Sequence, residues 1–148
     1  MYQPEIAGNL GTILRTCACL NVEVDIIEPC GFPFSDRSLK RAGMDYFEHV
    51  RYTRHADWDA FRASCDSRKA RIILLSSKAD QPHFGFAYRS DDILLFGSEG
   101  SGVPRTVHDQ CDGRITIPMS PGMRSLNLAV SAGMALGEAL RQTGQFPE

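Results

Sequence analysis

Residues 71–102 read RIILLSSKADQPHFGFAYRSDDILLFGSEGSG. The two apolar runs, RIILLSS from Arg71 and DDILLFG from Asp91, are continuous rather than alternating, which is how a strand buried on both faces reads. Outward from this pair, VEVDII (Val22 to Ile27) is rich in β-branched residues and stops before Pro29, and RITIPM (Arg114 to Met119) is a further strand. A weaker extended segment falls at His49 to Thr53. Helical spacing fills the intervals. Leu10, Ile13, Leu14, Cys17 and Leu20 share one face of a helix that Asn9 would cap, and Trp58, Phe61 and Cys65 mark a second from Asp57 to Cys65. A short helix is expected from Asp36 to Ala42 with Gly43 beyond its end, another begins near Pro104, and the last runs from Leu126 to Thr143. This alternation predicts an α/β fold, a mostly parallel sheet with helices on both faces.

At 148 residues the chain is long enough for one domain with a sizeable core and too short for two. Hydrophobic residues at 43% and charged residues at 23% exclude disordered and low-complexity classes. The net charge of −2 supplies no whole-molecule basic field, so a nucleic acid would have to be held by a local patch. Five cysteines without a CxxC pair argue against a disulfide framework and a zinc site, and a reducing cytoplasm is the expected compartment. His49, His55, His83 and His108 show no metal-ligand spacing. The first residues lack the pattern of an export signal, and the apolar runs fall far short of the roughly 20 residues of a membrane span.

Parallel sheets gather ligands beyond the carboxyl ends of their strands. The loops to read for chemistry are therefore EPCGF after Ile27, SSK after Leu75, GSEGSG after Phe96 and SPGMRSLN after Met119. GSEGSG places Gly97, Gly100 and Gly102 around Glu99, so backbone can turn tightly and approach a ligand. It is neither GxGxxG nor a Walker A sequence, and its competing reading is a helix-capping turn. In SPGMRSLN, Ser125 and Asn127 flank Leu126 at a helix start, where amides and side chains suit a carboxylate, a ribose or a phosphate. From sequence alone, the default reading there is an ordinary N-cap by Ser125. Arg15 lies off the apolar stripe of its helix, where a solvated charge is the default. Lys40, Arg41, Arg51 and Arg54 are the local basic candidates for phosphate contacts. Gly133 and Gly137 would let a neighbouring helix, internal or from a second subunit, approach the last helix closely.

Three segments, PEIAGNLGTILRT, ILLFGSEGSGVP and IPMSPGMRSLNLAVSAGMAL, in this order resemble the three motifs of the SPOUT-class RNA 2′-O-ribose methyltransferases. IIEPCGFPFSDRSLKRAGMDY is similar to the small subfamily that methylates the wobble nucleotide of tRNA, and the likeness covers nearly the whole chain. It implies residues 1–148 as a single domain with a deep trefoil knot in its C-terminal half, working as a homodimer without metal or membrane. S-adenosyl-L-methionine would lie at Leu75, Gly97, Ile117 and Ser125, with Met119 and Leu126 nearby. Asn9, Arg15, Glu99, Ser125 and Asn127 would occupy the catalytic positions, and the substrate would be the ribose 2′-hydroxyl of cytidine or modified uridine at position 34, in the anticodon stem-loop of tRNA. Another RNA such as rRNA, or RNA binding without turnover, stands as the alternative. The chain departs from the family pattern twice. Only Met1, Tyr2 and Gln3 precede Pro4 where the family begins with an apolar strand, so a truncated start and a stability cost are expected. Gly100 and Ser101 follow Glu99 where relatives often carry a basic residue.

Overall fold

The computed structural model describes residues 1–35, 37 and 49–148. The short helix expected over residues 36–42 lies outside the described residues. In chain order the described elements are α1 (Ala7–Cys19), β1 (Val24–Ile27), β2 (Tyr52–His55), α2 (Trp58–Arg68), β3 (Ile72–Leu75), β4 (Ile93–Phe96), α3 (Arg105–Asp109), β5 (Gly113–Ile115) and α4 (Leu128–Thr143). A 3₁₀ turn at His83–Gly85, which the sequence did not suggest, sits between β3 and β4.

Helix α1 buries Leu10, Ile13, Leu14 and Cys17, as their spacing predicts. Its start differs from expectation. Asn9 lies inside the first turn, and Ile6 holds the N-cap position without a side-chain bond. The amides just ahead of the helix are met from elsewhere: the Glu99 carboxylate accepts the N–H groups of Glu5 and Ile6 at 2.8 and 3.2 Å. Helix α2 is capped by Asp57, whose carboxylate accepts from the Ala60 amide at 2.8 Å, and it runs on to Arg68 before Lys69 turns left-handed. Helix α4 is capped by Asn127 rather than Ser125. Strand β5 is shorter than RITIPM suggests. Beyond Ile115 the chain leaves the β3 ladder, as the Thr116 amide donates to the Gln81 carbonyl at 2.8 Å and the Thr116 carbonyl accepts from His83 at 2.8 Å. Pro118 then offers no N–H with which to continue.

Every strand pairing is parallel: β1 with β2, and β3 with both β4 and β5. The ladders form two sheets, ordered β1-β2 and β4-β3-β5, rather than the one sheet expected. Residues 1–3 bridge them. Tyr2 pairs in parallel with Ile27, the Gln3 amide donates to Ile27 at 2.9 Å, and the Tyr2 amide donates to Phe96 at 2.8 Å. Three residues thus occupy the slot between β1 and β4 that the sequence left without a strand. Neighbouring strand residues face opposite cores, which places helices on both faces. Ile26 and Phe96 pack with α1 and α4, whereas Ile27, Ile72 and Leu74 pack with Phe61 and Cys65 of α2 and Val107 of α3.

Candidate functional site

The carboxyl ends of β3, β4 and β5 open on one cavity of about 770 Å³. Leu75 and Ser76 line it after β3, Gly97 to Gly102 after β4, Ile117 and Met119 after β5, and Ser125 to Leu128 at the entry to α4. Ile6 and Asn9 close it from the start of α1. The structure thus brings together Asn9, Leu75, Gly97, Glu99, Ile117, Met119, Ser125, Leu126 and Asn127 from segments far apart in the chain. Arg15 stands apart from this cavity. It is exposed on α1, six residues past Asn9 and so about 9 Å further along the helix axis.

The glycine loop is closed by its own backbone. Ser98 and Gly102 exchange both N–H to carbonyl bonds at 2.9 Å, and Gly102 has φ +68°. A Cβ on Gly97 would stand 2.5 to 2.9 Å from Gly102 backbone atoms, so closure of the loop itself demands glycine there. Ser98 Oγ lies 2.9 Å from Ser101 Oγ across the same turn.

Glu99 is an acceptor already in use. Besides the two amides at the start of α1, it accepts from Asn9 Nδ2 at 3.1 Å. With its amide nitrogen committed to a carboxylate, Asn9 turns Oδ1 to Asn127, whose Nδ2 donates at 3.0 Å. Asn127 Oδ1 in turn accepts from the amides of Ala129 and Val130 at 2.8 and 3.3 Å. One hydrogen-bonded chain therefore ties the start of α1 to the glycine loop and to the start of α4, 90 and 118 residues further along the sequence. Such a chain fixes relative position in a way that no single bond does.

Sequence reasoning missed Glu5, whose Oε2 accepts from the Gly100 amide at 2.8 Å, and the cavity-lining cations Lys78 and Arg105. Glu5 belongs to the quoted PEI segment and Lys78 to the flagged SSK loop, so both signals were in view. Arg105 pairs with Asp109 at 2.9 Å, and His108 together with Arg105 holds the Asp109 carboxyl below its usual range. The basic candidates of the sequence are engaged elsewhere. Arg51 donates to the Asn21 carbonyl and side chain, and Arg54 grips Glu28 and lies over the Phe34 ring at 4.5 Å. Lys40 and Arg41 lie outside the described residues. Burial pushes the Cys17 and Cys111 thiols up to about 11, far from nucleophilic readiness. No group of His, Cys, Asp and Glu among the described residues is disposed to hold a metal, and none of the described helices is long and apolar enough to cross a membrane.

Parallel strands whose carboxyl-end loops close one pocket, tied to the first helix by a Glu99–Asn9–Asn127 network, define an α/β ligand-binding architecture. The SpoU rRNA Methylase family model matches residues 1–137, and the chain belongs to that family. It is 57% identical over 144 residues to a Beijerinckia indica protein named tRNA (cytidine(34)-2'-O)-methyltransferase, covering 97% of this chain and 90% of that one. An Escherichia coli K12 protein of the same name is 39% identical over 146 residues, covering 97% of this chain and 92% of that one. A solved structure described as "Structural insights into the 2-OH methylation of C/U34 on tRNA" superposes with a TM-score of 0.89 at 41% identity, over 95% of this chain and 91% of that one.

Proposed function

We propose that this chain transfers a methyl group from S-adenosyl-L-methionine to the ribose 2′-hydroxyl of the wobble nucleotide, cytidine or modified uridine, at position 34 of tRNA. The observation that carries the reading is the 57% identical relative of that name, matched over 97% of this chain. The cavity suits such a cofactor: its volume lies within the few hundred to about a thousand Å³ of small-molecule sites, and its lining mixes apolar side chains such as Leu75, Ile117 and Leu126 with polar ones such as Asn9, Ser125 and Asn127. Leu126 lines it while 41% exposed, an apolar surface that a bound adenine would cover. Leu75, Gly97, Ile117, Met119, Ser125 and Leu126 would hold the cofactor. When bound, it supplies a methyl group on a sulfonium cation, an electrophile that needs no metal.

The chain's own residues then align a hydroxyl for in-line attack. Asn9, Glu99 and Asn127 keep the cavity wall and the helix starts in fixed relation, and Ser125 Oγ is placed to orient the ribose or the cofactor. Arg15 supplies a planar cationic guanidinium fork. Its role is to grip the adjacent phosphate and stabilise the negative charge that develops on the attacking oxygen, with water taking the proton. The reading carries with it one domain over residues 1–148, a C-terminal trefoil knot through the loops around the cavity, recognition of the anticodon stem-loop and work in the cytoplasm.

Radiolabelled methyl transfer to total tRNA, compared with rRNA, tests the proposal. Label in tRNA that maps to position 34 is expected. Label confined to rRNA, or absent with both, rejects it.

A homodimer belongs to the same proposal. Val130 and Met134 are 53% and 42% exposed on α4, and Gly133 and Gly137 beside them have open space where a Cβ would be. These four positions fall at helical spacing on one face, an apolar stripe narrow enough for close helix approach. Light scattering should return twice the 16.4 kDa chain mass, and Met134→Arg should shift it towards monomer. A monomeric wild-type chain at micromolar concentration would refute this.

A further inference from the structure

We infer that Glu5 is a positioning residue for methyl transfer: with Glu99 it forms a reciprocal clasp that holds the tip of the glycine loop against the start of α1. The inference rests on the methyltransferase reading of the cavity. The Glu99 carboxylate accepts from the backbone of Glu5 and Ile6, and the Glu5 carboxylate accepts from the backbone of Gly100. Each carboxylate is therefore held by amides of the other's segment. Bonds from N–H groups to an ionised acceptor are stronger than neutral ones.

Glu5 reaches the loop from a fixed base. Pro4 is fully buried, the Gly31 amide donates to the Pro4 carbonyl at 2.9 Å, and a Cβ on Gly31 would stand 3.0 Å from Glu5 Cα. On the loop side, a Cβ on Gly100 would stand 3.0 Å from Glu5 Oε2. The base of the glycine loop is secured by its own Ser98–Gly102 bonds, but its tip is secured by Glu5. Glu99 sits between base and tip. A tip free to move would carry the Glu99 carboxylate with it, and through it Asn9 and Asn127. Glu5 thereby sets the distance between the cavity wall and the helix starts at the cavity's edge.

A merely structural Glu5 would change melting temperature and leave turnover at saturation alone. The clasp predicts the reverse. Glu5→Ala in the full chain should lower the single-turnover rate about tenfold or more at saturating S-adenosylmethionine and tRNA, the scale of misalignment between reacting groups. Cofactor affinity by calorimetry and melting temperature should stay at wild-type values. Glu5→Gln keeps a carbonyl acceptor for the Gly100 amide and should restore most of the rate. Hydrogen exchange across residues 98–102 should quicken in Glu5→Ala and not in Glu5→Gln. That measurement needs no RNA. If the wild-type chain fails to methylate tRNA, the functional reading falls while loop exchange still decides the clasp. Unchanged loop exchange in Glu5→Ala, a wild-type rate, or a rate loss that follows melting temperature would each overturn it.

Discussion

Replacing Gly97 by alanine should weaken S-adenosylmethionine binding almost as severely as replacing it by valine. If the glycine only left room for a ligand, the single methyl of alanine would be mild and valine harsh. The structure sets the conflict earlier, because the first side-chain carbon already meets the Gly102 backbone at 2.5 to 2.9 Å. Any Cβ must therefore spread the Ser98–Gly102 pair and break its two backbone bonds. Overpacking and lost hydrogen bonds of this kind cost about 3 kcal/mol, which corresponds to roughly 10²-fold in affinity. Circular dichroism should stay native, since the damage is confined to one loop at the end of β4. Titration calorimetry on both variants decides the point. A mild alanine beside a severe valine would return the glycine to ligand clearance, and unchanged affinity in both would remove the loop from the cofactor site.

The strands were legible because burial on both faces writes itself into local sequence: IILL and ILLF are strands β3 and β4 almost to the residue. Ends were less legible, because partners distant in the chain determine them. Helix α1 begins before Asn9, and the amides of Glu5 and Ile6 that lead into it are met by Glu99, a carboxylate no local pattern connects to them. Strand β5 stops at Ile115 because the next residue pairs with the segment around Pro82. Ser125 and Asn127 are both good cap residues by type, and only the geometry at Ala129 and Val130 selects Asn127.

The site was legible as a set and not residue by residue. The resemblance puts Glu99 at a catalytic position, whereas its oxygens are occupied by the segment leading into α1 and by Asn9. Glu5 was overlooked for the complementary reason, since an exposed carboxylate before a helix reads as a solvated charge. Arg51 and Arg54 read as local basic candidates for phosphate, and the structure pairs them with Glu23 and Glu28, which flank strand β1 and are distant in sequence. Charge lining the cavity comes instead from Lys78 and Arg105, which no local run of basic residues announces.

Arg15→Ala should cut methyl transfer by about 10²-fold or more, the loss expected on removing a donor that stabilises charge developing in the transition state. The structure sharpens this expectation by separating Arg15 from the cofactor cavity. It is exposed on α1, outside the buried set Leu10, Ile13, Leu14 and Cys17, and it does not line the cavity. Melting temperature and cofactor affinity should therefore hold while turnover falls, a combination that a folding defect or a cofactor defect would not produce. Arg15→Lys should recover little. A lysine ammonium is a point charge and cannot reproduce the planar fork that grips a phosphate and a ribose oxygen together. Removing a group that acts by electrostatics should scale the rate without moving the pH profile, whereas loss of a general base would shift that profile. Single-turnover rates with saturating tRNA, measured across pH, decide the matter: a near wild-type rate in the alanine variant would leave Arg15 an ordinary surface charge, and a displaced profile would make it a proton carrier.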